Sequence, residues 1–318
     1  MKPPRSSHKS TACESLAHQS TAHGKLAGRL WVLGAALMWS TGGLFAKLPI
    51  WDDWTLEVRG PMFAFWRALF AALVLVPTIR RPRFSPYLVP LALAFTFMNI
   101  TYLLAMTRTT AANAIWLQST SPWWVFLISV FLLRKPVVRH DLIPLVFGGL
   151  GVGTILLFEV RGQTQFGVAC GLLSGIGYAL VLMLMRKLRS QNSAWLVALN
   201  HAVAALALLP WVIYVGRWPS PIQLVVLAGF GALQMGIPYT FLLRGLRSVS
   251  SQEAVAIALI EPVLNPLWVF LCGLETPAWW SVVGALLILI GLVLRYVVWE
   301  LVAGNSGGGP QAPSIPPG

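Results

Sequence analysis

The chain has 318 residues, 57% of them hydrophobic and only 10% charged, with a formal net charge of +13 and a mean hydropathy of +0.72. A soluble domain carries about 25% charged residues, so a surface this poor in charge argues against soluble enzymes, coiled coils and disordered scaffolds. The basic residues stand between apolar runs and form no dense patch with interleaved aromatics, which removes the case for a nucleic-acid partner. A polytopic membrane protein remains.

A bilayer core needs roughly 20 apolar residues in a helix, and ten runs approach that length. In chain order they are Leu30 to Leu48, Pro61 to Ile79, Leu88 to Met106, Ala111 to Leu133, Leu142 to Phe158, Phe166 to Met185, Ala194 to Val215, Pro221 to Leu243, Val249 to Cys272 and Ala278 to Trp299. They are continuously apolar and too long for the alternating strands of a barrel. The first run follows a long polar segment, lacks a small-residue cleavage site and is succeeded by nine others, so it reads as a span and not as a cleaved signal. Residues 1–29 and 303–318 are rich in Ser, Thr, His, Gly and Pro and read as disordered tails.

Loop charges set the topology. With the N-terminus inside, 17 Lys and Arg fall on the cytoplasmic side, in Lys2 to Arg29, Arg80 to Arg83, Arg134 to Arg139, Arg186 to Arg189, Arg244 to Arg247 and Arg295. Only 5 fall outside: Lys47, Arg59, Arg108, Arg161 and Arg217. Both termini are therefore expected in the cytoplasm, with the chain multi-pass in the plasma (cytoplasmic or inner) membrane. The basicity records orientation.

The spans divide into residues 30–158 and 166–299, five in each half. A shift of 140 residues places Ala114 on Ala254, Pro122 on Pro262 and Gly151 on Gly291, while PWWVFL from Pro122 matches PLWVFL from Pro266 at a shift of 144. The two registers differ by about one helical turn, and both remain open. An odd number of spans per half inverts the second half, the usual plan of secondary transporters with a midplane site. The expected fold is all-α, with ten transmembrane helices in two inverted five-helix repeats.

The run from Glu261 to Phe270, then Gly273-Leu274-Glu275-Thr276-Pro277 and Gly284 and Gly291, resembles the end of an EamA-type repeat of the drug/metabolite transporter superfamily. The first half resembles it through Ala105-Met106, Thr109 to Ala112, Pro122 and Gly148 to Gly153, but has Lys135 where Glu275 stands in the second. The resemblance implies a small-solute carrier, often an exporter. It also implies a central cavity lined by the first four helices of each half, with the fifth and tenth at the periphery.

An ionisable residue near the bilayer centre costs about 2.5 to 3.5 kcal/mol on insertion scales, so Glu261 is the leading site candidate and the candidate for proton coupling. Pro262 follows it and Pro122 marks the corresponding helix; each proline breaks the backbone ladder and frees a carbonyl. Glu261, Asn265 and Trp268 share one helical stripe, as do Asn113, Trp116, Thr120 and Trp123 on the fourth span. Arg67 either snorkels to the surface, pairs with Glu261 or grips a substrate carboxylate. Asn99, Tyr102, Tyr178, Asn200, His201, Gln234 and Tyr239 are secondary candidates, since buried amides and hydroxyls also bridge helices. Gly171, Gly175 and Gly177 read as sites of close helix packing.

Cys13, Cys170 and Cys272 and the scattered histidines show no metal spacing, and no Walker sequence is present, so neither cofactor nor metal is expected. The expected partners are a small-molecule solute, the lipid bilayer and a proton or other coupling ion, with no oligomeric state specified. The leading function is a secondary transporter, in the exporting direction, of small polar or amphipathic metabolites resembling amino acids or drugs, working by alternating access. A membrane-embedded enzyme, or a channel or receptor, is the alternative.

Overall fold

A computed structural model describes residues 24–79, 82–134, 142–159, 165–188, 190–249 and 251–294. The expectations for residues 1–23, for Lys135, for residues 295–299 of the last run and for the tail 303–318 lie outside these. Among the described residues every regular element is helical and none is a strand. Seven helices, from Leu56–Thr78 to Glu253–Leu271, are long and apolar enough to cross a membrane, and two shorter apolar helices are Leu145–Phe158 and Trp279–Val293.

The first run is broken. Helix α1 (24–39) begins six residues inside the stretch read as tail, and a turn at Ser40 and Thr41 separates it from α2 (Gly42–Lys47). The amide of Ser40 still bonds the Ala36 carbonyl at 3.0 Å, but that of Thr41 turns to Met38 at 3.2 Å. Paired glycines at 42 and 43, with little helix propensity, permit the break. Next come α3 (Leu56–Leu75), which carries Pro61 within it, and α4 (Leu88–Arg108).

The fourth and ninth runs break at matching places. Helix α5 (Ala111–Gln118) is followed by α6 (Ser121–Leu127) and a π-helical turn over Ile128–Leu132. Proline lacks an N–H and its ring crowds the carbonyl four residues earlier. For Pro122 that residue is Gln118, where α5 ends. After α7 (Leu142–Glu159), α8 (Gln165–Lys187), α9 (Ser193–Val215), α10 (Pro221–Gly231) and α11 (Ile237–Gly245), α12 (Ser251–Ala258) ends four residues before Pro262 in the same way. Helix α13 (Glu261–Leu271) restarts immediately before that proline, and α14 (Trp279–Val293) closes the described chain. The two breaks are 140 residues apart, which favours that register over 144 at this point.

Packing joins corresponding spans of the two halves: α3 lies against α9, and α7 against α14, while α4 packs along α8. Between α7 and α14 the backbones nearly touch, since a Cβ on Gly151 would stand 2.5 Å from the Gly284 carbonyl oxygen. Gly171, Gly175 and Gly177 likewise admit Leu117, the Leu117 carbonyl and Met98 against α8, as expected of packing glycines. The apolar core runs through α3, α4, α5, α8 and α9, with Trp51, Trp54, Phe63 and Phe230 among its largest members.

Candidate functional site

Polar atoms are scarce inside this bundle, so those buried there locate its chemistry. Arg67 on α3 is 1% exposed, which excludes snorkelling. Its Nη2 donates to Asn99 Oδ1 on α4 at 2.6 Å. The Asn99 amide is held in turn, its Nδ2 donating to the Ala64 carbonyl at 3.0 Å, so its oxygen is directed at the guanidinium. The rings of Tyr102 and Phe230 lie over the guanidinium carbon at 5.5 and 5.4 Å. Arg67 Nε and Nη1 find no acceptor among the described residues.

Around this cation stand Tyr102 on α4, His201 on α9, Tyr239 on α11 and Glu261 at the start of α13, all within its electrostatic reach. Glu261 is half-buried and makes no ion pair with Arg67. His201 is fully buried, packed edge-on against Phe95 at 4.7 Å and Tyr239 at 6.1 Å, and neither ring nitrogen has a hydrogen-bond partner among the described residues. One turn along α13 from Glu261, Asn265 is fully buried, with its side chain beside the Tyr102 hydroxyl.

The break in the first run borders the same region. Gln234 Nε2, on the π-helical turn Ala232–Gly236, donates to the Trp39 carbonyl at 3.1 Å, and its Oε1 is left without a partner among the described residues. Trp268 Nε1 donates to Ser40 Oγ at 2.9 Å. Trp39 meets Tyr239 edge-on at 5.2 Å. A Cβ on Gly43 would collide with Asn265 Oδ1, so α2 can lie this close to α13 only with glycine there.

The structure therefore brings together Arg67, Asn99, Tyr102, His201, Tyr239, Glu261 and Asn265, with Trp268 at the edge. The stripe on the fourth run is placed elsewhere. Asn113 donates to Thr109 Oγ1 at 3.1 Å and accepts from Ser281 Oγ on α14 at 2.7 Å, while Trp123 donates to the Leu145 carbonyl on α7 at 3.0 Å. Thr120 closes on the Leu117 carbonyl at 2.5 Å within the break, and Trp116 is packed in the apolar core. Tyr178 is 38% exposed. On the fourth run these side chains fasten helices, and the break at Ser119 and Thr120 shifts the helical phase so that residues on its two sides no longer share one stripe, while Tyr178, on α8, faces outward. Trp39, Phe95 and Phe230 were not singled out from the sequence; as apolar or aromatic residues in apolar runs they carry no local mark.

One end of the bundle is tied by charge. Lys47 Nζ pairs with Glu275 at 2.5 Å and donates to the Thr109 carbonyl at 2.7 Å, and Glu275 accepts from the Ala111 amide at 2.8 Å. Nearby, Arg217 bonds Asp53, and Gln223 Nε2 donates to Asp53 Oδ1 at 2.8 Å and to the Ile50 carbonyl at 2.9 Å. At the other end Arg29 pairs with Glu253 at 2.5 Å. Among the described residues no group of three or more His, Cys, Asp and Glu side chains is placed to hold a metal ion.

A helical bundle with membrane-length helices and a buried polar centre is the architecture of a polytopic membrane protein. Residues 26–157 and 165–297 each match the model of the EamA-like transporter family, and the chain belongs to that family. It is 29% identical over 268 residues to an uncharacterized transporter of Archaeoglobus fulgidus, covering 83% of this chain and 94% of that one. A solved crystal structure shares the fold, with a TM-score of 0.59 at 17% identity over 86% of this chain and 98% of the other.

Proposed function

We propose that this membrane transporter is a secondary carrier that exports small polar or amphipathic metabolites, resembling amino acids or drugs, by alternating access. In this reading the chain crosses the plasma membrane ten times in two inverted five-helix halves, with both termini cytoplasmic. The loop charges support that orientation.

The observation that carries the reading is the buried centre at Arg67, Tyr102, His201, Tyr239, Glu261 and Asn265. It holds more unpartnered polar atoms than helix fastening requires, and it is drawn from both halves. Discontinuous helices border it at the Ser40 and Ile260 breaks, the arrangement by which carriers expose backbone to a solute near the midplane. Rocking of one half against the other would open the Lys47–Glu275 end and the Arg29–Glu253 end in alternation.

An untargeted metabolite comparison tests this in cells with and without the protein at two external pH values. The expected outcome is depletion of one solute group inside the expressing cells and its enrichment in the medium. No solute changing in either direction would overturn the carrier.

A further inference from the structure

The carrier reading leaves the solute class open, and the inference here rests on that reading. Among the described residues Arg67 is the one Lys, Arg, Asp or Glu that is fully buried. Its hydrogen-bond partner among them, the Asn99 amide, is neutral. The guanidinium carbon lies over the Tyr102 and Phe230 rings, and the Nε and Nη1 donors have no partner among the described residues. A buried charge is costly unless it is both paired and hydrogen-bonded.

The titratable groups facing the guanidinium are Tyr102 from α4, His201 from α9, Tyr239 from α11 and Glu261 from α13. Phenols and a neutral imidazole bring no negative charge near neutral pH. Glu261 alone can, and it stands within electrostatic reach without contact. One cation therefore faces two potential anions, the Glu261 carboxylate and whatever acid binds its free donors. Guanidinium donors suit planar carboxylates, and Trp39, Tyr102, Phe230 and Tyr239 suit a flat apolar body beside one.

We propose that the centre binds a small organic carboxylate through Arg67 Nε and Nη1, and that this carboxylate and that of Glu261 are alternative counter-charges for the one guanidinium. As the solute anion binds, Glu261 takes up one proton from water and becomes a neutral acid; as it leaves, the proton leaves. The centre has no net charge in either state, so it can turn from one face of the membrane to the other without moving charge. A phosphate dianion would leave it negative and is disfavoured.

The test is isothermal titration calorimetry on the full chain in lipid nanodiscs at pH 7.5. Two buffers of different ionisation enthalpy count the protons taken up, and the probes are phenylacetate, phenylacetamide and phenyl phosphate. Phenylacetate stays ionised at this pH, so any proton gained belongs to the protein. The expected result is phenylacetate binding at least tenfold tighter than either other probe, with about one proton taken up per anion bound. Glu261→Gln should bind phenylacetate with no proton uptake, and Arg67→Gln should lose the preference for acid over amide. Where Arg67→Gln does not fold, Arg67→Lys should keep the preference and bind at least tenfold more weakly, because ammonium lacks the planar fork.

Equal binding of acid and amide, undiminished phenylacetate binding by Arg67→Gln or Arg67→Lys, or proton uptake that persists in Glu261→Gln would each overturn the proposal. So would loss of the proton in His201→Asn, or no binding of phenylacetate, benzoate or indole-3-acetate. Export of some other solute in the metabolite comparison, without carboxylate binding, removes the class and leaves the carrier. Carboxylate binding without flux in proteoliposomes keeps the site and removes the carrier.

Discussion

Lys47 and Glu275 form an ion pair 2.5 Å long that joins the end of α2 to the loop between α13 and α14, 228 positions apart in the chain. Both partners reach further, to the Thr109 carbonyl and the Ala111 amide, so three segments meet on two side chains. With side chains only 15% and 21% exposed, the pair is shielded from the solvent screening that weakens surface pairs. Lys47→Met leaves Glu275 with the Ala111 amide alone and should cost about 2 kcal/mol. The loss should appear as a lower thermal midpoint in detergent, and the exchange Lys47→Glu with Glu275→Lys should recover part of it. An unchanged midpoint in Lys47→Met would show the pair to be idle.

Arg67 is a stability cost held at the centre of the bundle. Replacing buried charge by apolar side chains of similar volume is often stabilising by about 1 to 4 kcal/mol. Arg67→Met together with Asn99→Leu removes the cation and its neutral partner at once, leaving no orphaned acceptor between them. The double variant should melt higher than the parent and carry no solute in proteoliposomes. A lower midpoint with flux retained would make Arg67 a structural residue.

Much of this was legible in the sequence because membrane insertion acts on runs of residues, and runs survive local error. The helical segments fall close to the expected ones, and Arg67, Glu261 and Asn265 stood out because polar groups in hydrocarbon are rare, with Tyr102 among the secondary candidates. Two things were not legible. The break at Ser40 and Thr41 depends on glycines whose tight contact is with Asn265, far along the chain. The phase change at Thr120 takes Trp123, whose indole bonds the Leu145 carbonyl, out of register with Asn113, which accepts from Ser281. Spacing rules assume an unbroken helix, and the first, fourth and ninth runs are broken.

Pro122 and Pro262 each end a helix four residues upstream, at Gln118 and Ala258. Restoring an N–H lets the ladder run on, and a proline inside a helix costs about 3 kcal/mol. Pro262→Ala should therefore raise the thermal midpoint. It should also lower solute flux at least tenfold, because straightening α12 into α13 displaces Glu261 and Asn265 together. Pro122→Ala should stabilise similarly with a smaller effect on flux, since the side chains beside it bond to neighbouring helices. Equal losses of flux in both variants would contradict this difference.

The α7 and α14 contact is the most sensitive to added volume. Gly151 and Gly284 face each other so closely that a Cβ on either meets the other's carbonyl oxygen, at 2.5 and 2.7 Å. Backbone cannot swing aside as a side chain can, so Gly151→Ala must push the helices apart, and overpacking of this kind costs about 1 to 3 kcal/mol. Two residues along, a Cβ on Gly153 would have nothing within 4 Å among the described residues. Gly153→Ala should be neutral or gain about 0.5 to 1 kcal/mol from helix propensity. Thermal melts of the two variants should move in opposite directions. A shared direction would mean that helix propensity, and not the close crossing, governs this pair.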